Sequence, residues 1–196
     1  MAKGTLDRLR KHLKPGAVYR RRDLTALSTN LDRHLKELLN EGSLRKLQRG
    51  LYWCPENSLF GEAPAGEDEL LRTFLRSKEF LAYSTNTFNS LGLGTTQLYN
   101  VRTVLNQKRH GLFLLDGRSY FFHRRLNVPR KLTKEVLLVE LLNNLKKLAE
   151  DPDELLENLK SKLSSFDEGN LMTAAARYGT CSTQKKLGDF VGAVSA

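Results

Sequence analysis

The chain has 196 residues, 28% of them charged and 40% hydrophobic, with a formal net charge of +10. That length holds one large domain or two small ones, each with its own core. It has no run near the roughly 18 apolar residues a membrane span needs, so no membrane association is expected. The polar start Met1–Arg8 lacks the apolar segment of a secretory signal. Cys54 and Cys181 lie far apart and form no CxxC motif. A disulfide framework or zinc site is therefore not expected, and a reducing cytoplasm fits.

The charge is unevenly spread. Residues 1–54 carry 13 Lys and Arg against 5 Asp and Glu, a net +8. Residues 55–130 carry +3 and residues 131–196 carry −1. Clustering of basic residues on one module is the electrostatic footprint of a polyanionic partner.

In chain order, Leu6, Leu9 and Leu13 predict a first helix over 5–13, ended by Pro15-Gly16. Ala17-Val18-Tyr19 leans to strand. Arg20-Arg21-Arg22 follows, and Asp23 suits the cap or first turn of a second helix over 23–28. A third helix, capped by Ser28 or Thr29, buries Leu31, Leu35, Leu38 and Leu39 as one stripe. At about 100° per residue its other face shows Thr29, Asn30, Arg33, Lys36, Glu37 and Asn40. Gly42 is placed to stop the helix. Two strands then flank a tight turn at Gln48-Arg49-Gly50.

This order of helix, glycine stop and basic hairpin predicts a winged helix-turn-helix. Its recognition helix would enter the major groove of double-stranded DNA. Asn30 suits adenine and Arg33 suits guanine, whereas Thr29 and Lys36 suit phosphates. Arg45, Lys46, Gln48 and Arg49 lie on the wing. Arg20, Arg21 and Arg22 lie where the second helix would cross the DNA backbone.

Residues 56–64 hold Pro64 and Gly61 and read as a linker between a winged-helix domain, 1–55, and a mixed α/β domain, 65–196. The second region predicts helices over 67–78 and 85–91, with a short strand at 80–83. Strands are expected at 98–105, 111–115 and 119–124, and Asp116-Gly117 marks a hairpin between the last two. Helices over 132–149, 153–163 and 171–178, and a weakly patterned one near the C-terminus, complete an α+β chain with C-terminal helices.

Nothing in the sequence carries catalysis. His12, His34, His110 and His123 show no ligand spacing, and His34 reads as a helix-surface residue. Leu91-Gly92-Leu93-Gly94-Thr95-Thr96 lacks the lysine of a P-loop and reads as a helix stop. No Asp-x-Asp pair follows Gly42-Ser43. Asp116, Glu135 and Glu140 match no metal spacing. No cofactor, no metal and no enzymatic activity are expected. An RNA-binding role would need exposed aromatic faces. Tyr19, Tyr52, Trp53, Tyr120, Phe121 and Phe122 are candidates, but a core role explains them better.

Three segments carry a family resemblance. Asn40–Pro55 holds Glu41-Gly42, Leu44, Gly50, Tyr52 and Pro55 at characteristic spacing. Phe60-Gly61 with Pro64 follows, and then Asn89-Ser90-Leu91-Gly92-Leu93-Gly94-Thr95-Thr96-Gln97. Together these resemble the AbiEi-type antitoxins of bacterial abortive-infection, or type IV toxin–antitoxin, systems. The resemblance covers roughly residues 5–180, the last 65 residues of the chain by helix pattern only. It implies a winged helix that binds operator repeats in its own promoter and represses its operon. It also implies a C-terminal domain that opposes a nucleotidyltransferase-like toxin without requiring a stable complex. In that family the C-terminal domain can be strongly basic, unlike the −1 of residues 131–196 here. A monomer or weak dimer is expected. A protein-interaction antitoxin, or a solitary regulator without a toxin, remains the alternative.

Overall fold

The computed structural model describes residues 2–58 and 61–194. It is a mixed α+β chain that forms two compact units: residues 1–78 with 113–118, and residues 79–112 with 119–196.

In the first unit, helix α1 (Ala2–His12) leads into strand β1 (Val18–Arg20) and a 3-10 helix (Arg21–Leu27). Helix α2 (Leu31–Asn40) and strands β2 (Arg45–Gln48) and β3 (Leu51–Trp53) follow. The three strands form an antiparallel sheet in the order β1-β3-β2. The second helical segment is thus a 3-10 turn starting at Arg21, earlier and tighter than the α-helix read over 23–28. Leu6, Leu9, Leu24, Leu31, Leu35, Leu38, Leu44 and Tyr52 make one core. Leu39 is only half-buried and packs on its margin.

The stretch read as a linker contains two short antiparallel strands, β4 (Glu56–Ser58) and β5 (Gly61–Ala63). Phe60, from the second resemblance motif, lies outside the described residues. Helix α3 (Glu67–Leu75) stops earlier than the expected 78 because Arg76 takes a left-handed conformation at φ +52°. Phe74 meets Phe113 edge-on, with ring centroids 5.3 Å apart.

The second unit contains strand β6 (Phe80–Ser84), a 3-10 helix (Thr85–Leu91) and strand β7 (Val101–Asn106). With strands β8 (Gly111–Leu115) and β9 (Arg118–Arg124), the sheet order is β6-β7-β9-β8. β7 runs antiparallel to β6 and parallel to β9. The hairpin at Asp116-Gly117 has φ +50° and +70°, which matches the turn chemistry of that dipeptide.

Helix α4 (Lys134–Asn144) is shorter than the 132–149 pattern and passes into a 3-10 turn at Leu145–Lys147. Helices α5 (Pro152–Lys162), α6 (Glu168–Tyr178) and α7 (Cys181–Val194) follow. Thr133, Asp151 and Asp167 cap α4, α5 and α6 through side-chain oxygens. Every residue from Val136 to Leu142 of α4 is buried, so this stretch is apolar all round except for Glu140.

Glu140 is fully buried, and its carboxylate is satisfied from several sides. The Arg125 guanidinium contacts Oε1, and Asn143 Nδ2 donates to the same oxygen at 3.3 Å. The Tyr83 hydroxyl donates to Oε2 at 3.2 Å. Burial pushes the Glu140 carboxyl upward, while Arg125 and the bonds from Arg125, Tyr83 and Asn143 pull it down. Asn143 also donates to the Tyr178 carbonyl at 3.0 Å and accepts from Thr180 N–H and the Thr183 hydroxyl at 2.9 and 2.8 Å. One buried charge therefore joins the end of β9, strand β6, α4 and the α6–α7 junction.

Removing one partner of a buried pair leaves the other charge stranded. Arg125→Ala should cost about 3–5 kcal/mol of stability, read by urea denaturation. Arg45→Ala, in an exposed pair with Glu62, should cost about 0–1 kcal/mol. His123 accepts a 2.9 Å hydrogen bond at Nδ1 from Arg125 Nε. Burial, then Arg125, Lys147 and His110, push its pKa down from 6.5 to about 4. The unfolded chain then takes up the proton first, so stability is full above about pH 6.5 and falls as pH drops towards 4. An NMR titration should give a His123 midpoint well below 6.5. His123→Gln should flatten the stability profile across that window.

Candidate nucleic-acid interface

The basic face of the first unit is organised by how α2 is seated. Leu31, His34, Leu35 and Leu38 are its buried residues. This fixes its rotation and leaves Thr29, Asn30, Asp32, Arg33, Lys36 and Asn40 exposed. The helix ends as the sequence suggests. Gly42 takes φ +76° and donates its N–H to the Leu39 carbonyl at 3.2 Å, and Leu44 N–H closes on Leu38 at 3.1 Å.

The start of the helix differs. Asn30, not Ser28 or Thr29, occupies the capping position, and its side chain makes no capping bond. Ser28 is buried and accepts from Asn30 N–H at 3.2 Å. Its hydroxyl lies 2.7 Å from Nδ1 of His34. His34 is 3% exposed, a core residue and not a surface one. The signal was present, since residue 34 lies three after Leu31 and four before Leu38, on the buried stripe.

Acidic side chains border both edges of the exposed stripe, and each is engaged by an arginine from another element. On one edge Asp32 accepts two 2.7 Å bonds from Arg21 Nε and Nη2. These bonds hold the Asp32 carboxyl below its usual range and raise the Arg21 guanidinium. On the other edge Arg10 of α1 lies 2.5 Å from Glu41 and 4.0 Å from Glu37. Between these edges Arg33 and Lys36 make no hydrogen bond or ion pair among the described residues.

The hairpin divides in the same way. Lys46 and Arg49 are exposed and without partners among the described residues. Arg45 donates to both carboxylate oxygens of Glu62 on β5, at 2.9 and 3.0 Å, and its pKa rises as a result. The side chain of Gln48 is half-buried, and its Oε1 has no partner within the described residues. A bulge between Lys46 and Gln48 turns Leu47 into the core, and Gly50 at φ +74° closes the turn. Arg22 is exposed and unpaired among the described residues, whereas Arg20 is half-buried at the end of β1.

The structure thus sorts the sequence-derived candidates. Arg22, Thr29, Asn30, Arg33, Lys36, Lys46 and Arg49 have side chains open to solvent. Arg21 and Arg45 are bound to carboxylates, and Arg20 and Gln48 are partly withdrawn. Neither Asp32–Arg21 nor Glu62–Arg45 is local in sequence, so spacing alone could not reveal them.

Deleting one member of a buried hydrogen bond costs the desolvation of the other. Ser28→Ala should therefore lower stability by about 1–3 kcal/mol. Thr29→Ala, one residue along and exposed, should change it by less than about 0.5 kcal/mol. Urea denaturation of the two variants reads the difference.

The glycine-rich segment lies in the second unit. Gly92 ends the 3-10 helix at φ +64°, the helix stop expected. Lys162 of α5 bonds the Gly92 carbonyl, and Asn158 Nδ2 donates to the Leu93 carbonyl at 3.2 Å. Leu91 and Leu93 are buried beneath it. This segment is strapped to a helix by its carbonyls, so its glycines serve packing.

No protein-family model matches the chain, and the comparison with curated proteins gives no match. Among solved structures, the chain is similar to the crystal structure of the RV2827C protein from Mycobacterium tuberculosis, with a TM-score of 0.56 and 16% identity. The match covers 97% of this chain and 76% of that one, and at such identity it bears on the fold alone. No helix among the described residues is long and apolar enough to cross a membrane.

Proposed function

We propose that residues 1–55 are a winged helix-turn-helix that binds double-stranded DNA. On this reading the chain is a cytoplasmic, non-enzymatic antitoxin and autorepressor of a type IV toxin–antitoxin operon, opposing a nucleotidyltransferase-like toxin. The observation that carries the DNA part is the exposed stripe of α2. Its cations Arg33 and Lys36, unpaired among the described residues, lie between acids already matched by Arg21 and Arg10. The strand order β1-β3-β2, with a basic hairpin after the helix, is consistent with a wing. The antitoxin part rests on the resemblance of residues 40–55, 60–64 and 89–97.

The roles follow from which groups are free. Arg33 and Asn30 are the base-reading candidates at the start of the recognition helix. Thr29, Lys36 and Arg22 meet phosphates, and Lys46 and Arg49 extend that contact from the wing. Arg21 and Arg45 act as positioning residues. Arg21 ties the 3-10 helix to the first turn of α2, and Arg45 ties the hairpin to β5.

Fluorescence anisotropy with the DNA upstream of the gene tests this. Arg33→Ala should cost about 1–3 kcal/mol of discrimination against a scrambled duplex. Lys36→Ala and Arg49→Ala should each lower the salt slope by about one. Arg45→Ala should leave that slope unchanged. Equally weak binding by the wild type and an Arg33→Ala/Lys36→Ala/Arg49→Ala variant sinks the DNA reading. For the antitoxin reading, co-expression should relieve the toxicity of a neighbouring nucleotidyltransferase-like gene product. Unrelieved toxicity counts against it.

A further inference from the structure

A second feature lies on the sheet of the second unit. In register, Leu81 and Tyr83 of β6 lie beside Leu105 and Thr103 of β7, and these beside His123 and Phe121 of β9. Tyr83 and Leu105 belong to the core that includes α4. Phe121 and His123 are only half-buried, and exposed His110 joins them. The Phe121 and His123 rings lie 6.1 Å apart at 39°, forming a floor. His110 stands against it as a wall, 5.5 Å from Phe121 at 79° and 5.4 Å from His123 at 61°. Lys147, exposed at the end of the 3-10 turn after α4, holds its Nζ 5.8 Å from the Phe121 centroid.

The cluster is preorganised from below. Asn106 is 1% exposed and clamps the turn that carries His110. Its Oδ1 accepts from Lys108 and Arg109 N–H at 2.8 and 2.6 Å, and its Nδ2 donates to the Arg109 carbonyl at 3.0 Å. His123 is oriented by Arg125, which is itself held by buried Glu140. Because Nδ1 accepts from Arg125, the neutral ring carries its proton on Nε2. A neutral, oriented ring beside other rings offers a flat face for stacking. No group of three or more His, Cys, Asp or Glu placed to hold a metal occurs among the described residues.

The surroundings supply the charge. Lys108 and Arg109, in the turn that carries His110, and Lys147 are the nearby basic residues; Arg102 and Arg124 fall on the other face of the sheet by register, and Arg125 is spent on Glu140. Planar rings beside cations suit a ligand that offers both a π-face and phosphates. A duplex hides its base faces in the stack, and an unpaired strand does not. We propose that the His110–Phe121–His123 cluster, bordered by Lys147, is a stacking site for unpaired bases of single-stranded nucleic acid. It is separate from the duplex-binding face of α2 and does not depend on it.

Anisotropy on the full chain tests this with three labelled probes of one sequence: a 12-nucleotide RNA, the matching single-stranded DNA, and the blunt duplex. His110→Ala/Lys147→Ala changes exposed side chains only and should raise the single-strand Kd about tenfold or more. It should leave duplex binding within about twofold. Phe121→Leu keeps the apolar contact, removes the ring, and should weaken single-strand binding in the same way. Arg33→Ala/Lys36→Ala should weaken duplex binding and spare the single strands. A preference between the RNA and DNA strands identifies which one the site takes. Absence of single-strand binding overturns the proposal. So does single-strand binding that follows Arg33 and Lys36 and ignores His110, Phe121 and Lys147.

Discussion

The seating of α2 is the constraint on which the first unit depends. Three leucines and a histidine enter the core, and each fully buried leucine contributes about 1.5–3 kcal/mol. The exposed ion pairs at its edges contribute about 0–1 kcal/mol each. Packing therefore sets the rotation of the helix, and the ion pairs only trim it. With Leu31, Leu35 and Leu38 inside, Arg33 and Lys36 point outward. A shift of one residue in that stripe, about 100°, would withdraw them. His34 belongs to the same constraint. Its ring fills a core position that a leucine could fill, and its contact with Ser28 ties the turn before α2 to the helix body.

The second unit is organised around a different kind of interaction. Glu140 is a charge in the stretch 136–142 of α4, which is otherwise apolar on all sides. Such a charge is tolerated only with full satisfaction, and it has bonds from Arg125, Tyr83 and Asn143. The arrangement constrains more than stability. Arg125 spends one nitrogen on Glu140 and another on His123, so a buried carboxylate fixes the orientation of a half-exposed ring. Asn143, one turn along, bonds Tyr178, Thr180 and Thr183 and sets where α7 begins. These links connect elements far apart in sequence.

Much of the first unit was legible because its signals are local. Leucine spacing, the Gly42 stop and the Arg49-Gly50 turn each act within a few residues, and each appears where the pattern places it. What was not legible shares one cause. His34 looked polar by type, yet its position on the stripe and a hydroxyl six residues earlier make it a core residue. The two short strands within residues 56–64 were not legible because prolines and glycines mark strand ends as readily as a loop. The ion pairs of Arg21 and Arg45 were not legible, because their partners, Asp32 and Glu62, are brought near only by the fold. In the second unit, Tyr120 and Phe122 are core, as expected, but Phe121 alternates to the other face of β9 and escapes full burial. A run of three aromatics in a strand cannot lie all on one side.

Net charge alone is thus a weak guide to where a polyanion would bind. A phosphate reaching Arg21 or Arg45 must displace a carboxylate already in bonding geometry, so it exchanges one ion pair for another. A phosphate reaching Arg22, Lys36, Lys46 or Arg49 displaces only water and counterions, and release of its own condensed cations favours the contact. The same reasoning assigns opposite roles to arginines that differ little in exposure. Arg33 follows Asp32 in α2 and Arg21 comes from the 3-10 helix before it, and among the described residues it is Arg21 that closes on Asp32. Asp32 at the start of α2 is matched by Arg21, which leaves Arg33 as the neighbouring cation open to solvent.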